Sequence, residues 1–282
     1  MNAGLWVATG LICLGSAALA DCASDAEISA FVDDYMANRP TSALVPDGTM
    51  QDALCTQAKV VEKMSDHMGP VIGYKAGLTS KPAQERFGVT EPVQGVLYRD
   101  MMLQDGAEVA EQWGARPVFE ADLILVVGSG AINGAETAED AMPYISAIRP
   151  FIELPDLTYA KGEPITGVTL TAMGVAPKLG VLGAEIPVKD SKSMYNALGL
   201  MEVTLSSADG DVLAQAPGEA VMGHPVNSLI WLMSKGVTLK PGDLVSVGSF
   251  GPLVPPAKGK GGASVRYKGL PGDPEVSVTF KP

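Results

Sequence analysis

The chain has 282 residues, with 32 acidic against 20 basic side chains and a formal net charge of −12. That balance excludes a phosphate-backbone partner, which needs clustered Lys and Arg, and equally an anionic membrane surface. Hydrophobic residues at 46% and charged ones at 18% exclude a disordered chain, while 32 Gly and 21 Pro predict a turn-rich α+β protein rather than a helical bundle.

Residues 5–20, LWVATGLICLGSAALA, are apolar and end in Ala18-Leu19-Ala20, a small-x-small cleavage pattern. This matches a secretory signal peptide cut after Ala20, since about 16 apolar residues are short for a ~20-residue membrane span. Export to the periplasm follows as an expectation. Cleavage removes Cys13 and leaves Cys22 and Cys55, a disulfide candidate in an exported protein. The first twenty residues carry no Asp, Glu, Lys or Arg, so the whole charge sits on the remainder.

Residues 21–70 read as a helical amino-terminal region. Ile28, Phe31, Val32 and Tyr35 fall at helical spacing, behind Ser24 as a cap with Glu27 three residues later. Residues 50–67 also read as a helix, ended by Gly69-Pro70. From 71 to 282 strand-like runs dominate: VIGYKAGL, GVLYRDMML, FEADLILVVG, IRPFIEL, MEVTLSS, DLVSVGSF and VSVTF, most of them separated by Gly, Pro or Asn clusters. Residues 137–148 and 219–234 read as intervening helices. Residues 255–269, with several lysines among glycines, read as a flexible basic loop, either simply solvated or drawing in an anionic substrate.

Strand side chains alternate faces, so Glu120 and Asp122 in RPVFEADLILVVG point the same way. Adjacent carboxylates repel, and the pair needs either a cation between them or solvent around them. Glu153, set among Phe151, Ile152 and Leu154, is a third carboxylate for an all-oxygen site suited to Mg2+ or Mn2+. Only two histidines are present, His67 and His224, and neither is near these acids in sequence, which argues against a His-rich zinc site. Lys75 stands inside an apolar strand pattern, and burial there requires an anionic partner or ligand, a surface position with its tip in water being the alternative. Glu62, Asp66 and His67 are further titratable groups with no fixed place. His224, before Pro225, reads as structural, and Trp113 and Trp231 as core or interface residues.

Six motifs in order carry a resemblance: GYKAGLTSKPAQERFGV at 73–89, PVQGVLYRDMM at 92–102, the acidic pair after RPVF, Glu153 before Asp156, GHPVNSLIWL at 223–232 and LKPGDLVSVGS at 239–249. The chain resembles the fumarylacetoacetate hydrolase superfamily, in the branch of 2-keto-4-pentenoate hydratases and 4-oxalocrotonate decarboxylases, over roughly residues 25–282. The resemblance implies a mixed β-roll with a small helical amino-terminal region, usually assembled as a homo-oligomer. It places the metal carboxylates on Glu120, Asp122 (for a more usual Glu) and Glu153. The active-site lysine falls on Lys75, and the GLTS turn, with Leu78 and Ser80 as substrate-binding residues, on positions 77–80.

Hydratases of this branch tend to carry an acid after the proline of a P-D-x-G segment, where this chain reads Pro92-Val93-Gln94-Gly95. That departure leans toward the decarboxylases. Met173 and Gly174 stand where relatives show an Asp-Asn pair, and export is unusual for a group found mostly in cytoplasmic aromatic degradation. The implied activity is that of a metal-dependent lyase on a small 2-oxo acid, through a metal-stabilised enolate. The alternatives are an exported 2-oxo-acid binding protein without turnover and a carbon–carbon hydrolase of the acylpyruvate type.

Overall fold

Two capped helices open the chain. A computed structural model describes residues 20–282, so that the apolar stretch 5–20 read as a signal peptide lies, but for its last residue, outside the described residues. In α1 (Asp25–Met36) the Ser24 side chain accepts from the Glu27 N–H while Glu27 reaches back to the Ser24 N–H, and Thr49 and Asp52 repeat this box on α2 (Met50–Met68). Each box satisfies amides that a helix start leaves open. Cys22 and Cys55 form a disulfide with 5.4 Å between their Cα atoms, which ties the start of α1 to α2.

The chain then alternates strands with short helices: β1 (Val71–Gly77), α3 (Lys81–Arg86), β2 (Val93–Tyr98), β3 (Met102–Gln104), β4 (Ala107–Ala110) and β5 (Glu120–Val127). Next come α4 (Ala138–Ala141), β6 (Ile145–Leu154), α5 (Gly167–Ala172), β7 (Leu179–Leu182), β8 (Ile186–Pro187) and α6 (Ser191–Leu200). The carboxyl-terminal part holds β9 (Glu202–Ser207), β10 (Val212–Pro217), α7 (Asn227–Ser234), β11 (Leu244–Ser246), α8 (Pro256–Gly259), β12 (Gly262–Lys268) and β13 (Glu275–Lys281).

Eight strands form a mixed sheet in the order β2-β1-β11-β5-β6-β7-β3, with β8 on β6; five more form a second sheet, β10-β9-β12-β13-β4. Alternation along β5 fixes the layers. Ala121, Leu123 and Leu125 pack with Val203, Leu205, Val265, Tyr267, Val276 and Phe280 of the second sheet. The opposite face, with Ile124 and Phe151, packs on α1, α2 and α5 through Phe31, Tyr35, Val60, Met64 and Leu170. Tyr267 crosses between sheets: its hydroxyl donates to the Asp122 carbonyl and accepts from the Phe151 N–H at 3.1 Å, locking β5 to β6.

Three sequence expectations are corrected. Residues 137–148 hold only the single turn of α4 and a 3-10 turn through Pro143, because β6 claims the chain from Ile145. Within 219–234 only Asn227–Ser234 is α-helical. The supposed basic loop is α8 followed by β12, an interior strand of the second sheet: Ala263, Val265 and Tyr267 are buried while Arg266 and Lys268 face solvent, and Lys260 is paired with Asp209 at 3.3 Å and Asp211 at 2.6 Å.

Candidate active site

Strand register assembles the site. Glu120 lies directly opposite Glu153 across β5 and β6, and Asp122, two residues on, shares their face. Lys75 pairs with Ser246 across the parallel β1–β11 ladder, and Ser246 pairs with Ile124. Parity therefore places Lys75, Ser246, Asp122, Glu120 and Glu153 on one face, the one turned toward the helices. Lys75 is 3% exposed, Glu153 1% and Asp122 0%, while Glu120 is only partly buried.

Each buried group has found a partner. The Lys75 ammonium donates to the Glu153 carboxylate and to the Val175 carbonyl at 3.0 Å. Asp122 accepts from the Ser246 hydroxyl, from the Gly248 N–H at 3.0 Å and from its own neighbour's Leu123 N–H at 2.5 Å. Burial, and next the Glu153 charge, hold the Glu120 carboxyl well above the usual range. Burial first and Glu153 second push Asp122 up to about 7, against the hydrogen bonds that favour its charged form. Three carboxylates face one ammonium, so full ionisation leaves two negative charges uncompensated, and that is the electrostatic signature of a cation site. Among the described residues no three His, Cys, Asp or Glu side chains converge closely enough to hold a metal as they stand. Like charges have separated, Glu153 onto Lys75 and Asp122 onto Ser246 and Gly248. The donor set of Glu120, Asp122 and Glu153 is all-oxygen and fits a hard divalent ion.

Glu120 opens onto a cleft of about 520 Å³ whose lining includes Leu78, Ser80, Arg86, Phe87, Ser249 and Phe250. Leu78 holds left-handed backbone at φ 55°, and its carbonyl accepts from the buried Gln84 side chain at 3.0 Å. Gly248, at φ 101°, is required where it stands: a Cβ there would meet Thr79 side-chain atoms at 2.6 Å and the Ala76 carbonyl at 2.8 Å. The turn at 78–80 and the segment 246–249 are thereby packed against each other.

Glu62, Asp66 and His67 are exposed on α2, and His67 lines a different cleft with Lys178. His224 is buried and stacked on Tyr195, with Nε2 3.0 Å from the Tyr195 carbonyl and Nδ1 accepting from the Val226 N–H, a structural place. Trp113 is buried in the core, and Trp231 is partly buried beside Glu91. Sequence reasoning missed Ser246, Gly248, Ser249 and Val175. The first three lie within LKPGDLVSVGS, one of the motifs of the resemblance, but nothing in that pattern assigned them a place at the carboxylates, and Val175 carried no signal.

The family model described as fumarylacetoacetate (FAA) hydrolase C-terminal matches residues 55–270. The chain belongs to the fumarylacetoacetate hydrolase family. It is 31% identical over 189 residues to 2-keto-4-pentenoate hydratase 1 of Dechloromonas aromatica (strain RCB), covering 65% of this chain and 69% of that one. Over 219 residues it is 27% identical to the 2-keto-4-pentenoate hydratase of Paraburkholderia xenovorans (strain LB400), covering 76% and 79%. Its fold matches that of 4-oxalocrotonate decarboxylase from Pseudomonas putida G7, complexed with magnesium and adipate, with a TM-score of 0.75 at 22% identity over 91% of this chain and 96% of that one. The fumarylpyruvate hydrolase of Pseudomonas aeruginosa, complexed with Mn2+ and pyruvate, gives 0.52 at 16% identity over 73% and 88%.

Proposed function

We propose that this chain is a divalent-metal-dependent lyase acting on a small 2-oxo acid, by decarboxylation of a 4-oxalocrotonate-type substrate or hydration of a 2-oxo-4-enoate. One observation carries the reading: three carboxylates and one lysine share a buried face that opens, through Glu120, onto a cleft with Leu78 and Ser80. Glu120, Asp122 and Glu153 would hold Mg2+ or Mn2+. When bound, the ion supplies Lewis acidity toward the carboxylate and keto oxygens of a 2-oxo acid, favouring the enolate. Relatives named hydratases and a magnesium-bound decarboxylase of the same fold support this.

Lys75 supplies a fixed cation and a proton held at Nζ, both suited to negative charge developing on the substrate. Leu78 and Ser80 orient the acid in the cleft. Phe87, Phe250, Pro252 and Leu253 make much of its wall apolar and limit the water admitted. Val93, the residue after Pro92, lies opposite Gly77 on the Lys75 face and is 2% exposed. An apolar side chain there removes the acid that the hydratase pattern has beside the site, and this favours decarboxylation.

The described residues include no helix long and apolar enough to cross a membrane. The small-x-small pattern at Ala18-Leu19-Ala20, with the Cys22–Cys55 disulfide, supports export to an oxidising compartment. We assign the working form to a homo-oligomer on the family resemblance.

Calorimetric titration of metal-stripped protein with Mg2+ and Mn2+, with and without a simple 2-oxo acid, tests the pocket beside Glu120→Ala. Metal-dependent oxo-acid binding that the variant loses is the expected result, and absence of metal binding by wild type refutes it. Turnover of a 2-oxo-4-enoate or 4-oxalocrotonate by wild type, lost in Lys75→Ala, separates the enzyme from a binding protein.

A further inference from the structure

The backbone runs left-handed for three consecutive residues after α5, with φ 84° at Gly174, 62° at Val175 and 54° at Ala176. The first is accounted for by the end of the helix. The Val175 N–H bonds to the Leu170 carbonyl and the Gly174 N–H to the Thr171 carbonyl, both at 2.9 Å, which is a Schellman cap with Gly174 in its left-handed position. Such a cap requires one left-handed residue. It does not require Val175 or Ala176, and a β-branched residue in that conformation is an outlier that persists only where its surroundings over-determine it.

Those surroundings are specific. Val175 is 5% exposed, and its side chain sits in a niche made by two glycines: a Cβ on Gly77 would meet Val175 Cγ1 at 2.6 Å, and one on Gly95 would meet Val175 Cβ at 3.0 Å. Beyond Pro177, the buried Lys178 donates to the Tyr35 carbonyl at 2.7 Å and anchors the far end of the turn on α1. The strained residue's carbonyl is the group that accepts from Lys75 Nζ at 3.0 Å.

We infer that the left-handed turn Gly174–Ala176 is a positioning element that fixes the direction of the Lys75 ammonium, with Val175 as its positioning residue. An ammonium has three N–H donors and rotates freely about its last bond. The Glu153 carboxylate holds one donor and the Val175 carbonyl a second, so the third has a single direction left to it. This deepens the proposed function and rests on its assignment of Lys75 to the reaction.

Gly77→Ala tests the turn without touching Lys75, because the added Cβ meets Val175 Cγ1 and, at 3.3 Å, Val93 Cγ2, with no Lys75 atom among its nearest neighbours. Val175→Ala in the same chain removes Cγ1 and restores the space. Two quantities are read beside a thermal melt: the rate of Lys75 acetylation by trace acetic anhydride, followed by peptide mass spectrometry, and kcat and KM for the 2-oxo acid. In Gly77→Ala, Lys75 labelling rises about tenfold as the clamp opens locally. There kcat falls about tenfold while KM stays within about twofold, because the displaced group acts in turnover. The double variant returns both toward wild type.

Unchanged labelling in a folded Gly77→Ala overturns the inference, and so does a double variant no better than the single. If Gly77→Ala does not fold, Gly174→Ala replaces it. A Cβ there has room, with Pro177 ring carbons at 3.7 Å, so the substitution acts through φ alone and should raise Lys75 labelling in the same way; wild-type labelling would overturn the inference. Full turnover by Lys75→Ala refutes the role of the lysine instead, and the labelling still decides the turn.

Discussion

Replacing Asp122 with Asn should stabilise the metal-free protein above neutral pH while abolishing metal binding. Asp122 is fully buried and its carboxyl is pushed up to about 7 from an ordinary value of 3.8. Between those two values the folded protein keeps a proton that the unfolded chain has released. The folded state therefore loses stability as pH rises from 3.8, and the loss is complete above about 7. A displacement of that size is worth about 4 kcal/mol for one buried group. Asn suits the same contacts: its oxygen accepts from the Leu123 and Gly248 amides as Oδ1 does, and its amide donates to a Ser246 hydroxyl turned around. Urea unfolding of chelator-treated protein from pH 5 to 8 measures the effect. Wild type should weaken by about 3 kcal/mol across that range, the remainder having been lost below pH 5, and Asp122→Asn should weaken less, leaving it the more stable of the two at pH 8. Saturating Mg2+ should restore wild type and leave the variant unchanged, since a ligand stabilises only the state it binds. Wild-type stability that is flat or rising from pH 5 to 8 without metal would refute the account of a repulsive carboxylate face.

Lys75→Met leaves Glu153 buried without its cation and should cost about 3 to 5 kcal/mol by thermal denaturation, much of it recovered when Glu153→Gln is added. Reduction, or Cys22→Ser with Cys55→Ser, should lower stability by about 3 kcal/mol, the loop between them spanning a sequence separation of 33; quantitative alkylation of both thiols before reduction would show that no bond exists. Gly248→Ala places a Cβ against Thr79 and the Ala76 carbonyl and should destabilise by about 2 kcal/mol or more, read as a lowered urea midpoint with weakened 2-oxo-acid binding.

Local information made half of the site legible. The period of two along EADLILVV places Glu120 and Asp122 on one face with no knowledge of the fold, and the apolar setting of Lys75 and Glu153 predicts burial with a partner. The cap at Ser24 is equally local, and the structure shows both of its hydrogen bonds. The failures share a cause. In GGASVRYKG the alternation of β12 is present, but clustered Lys, Arg and Gly outweigh it until β9 and β13 pair on either side. In 137–148 helix-forming residues are overruled because β5 needs a partner from Ile145 onward.

Ser246 becomes part of the site for the same reason. It lies 124 residues from Asp122 in sequence, and only the insertion of β11 between β1 and β5 brings its hydroxyl to that carboxylate. Pairing β11 in parallel with β1 and antiparallel with β5 also fixes which residues of β11 face the carboxylates. A slip of one residue would present Val245 in place of Ser246 and leave Asp122 without its hydroxyl donor. Gly248 closes that alternative. Its left-handed backbone seats the following turn against Thr79, and its N–H bonds to Asp122, so the group that secures the carboxylate also pins the register that delivers Ser246.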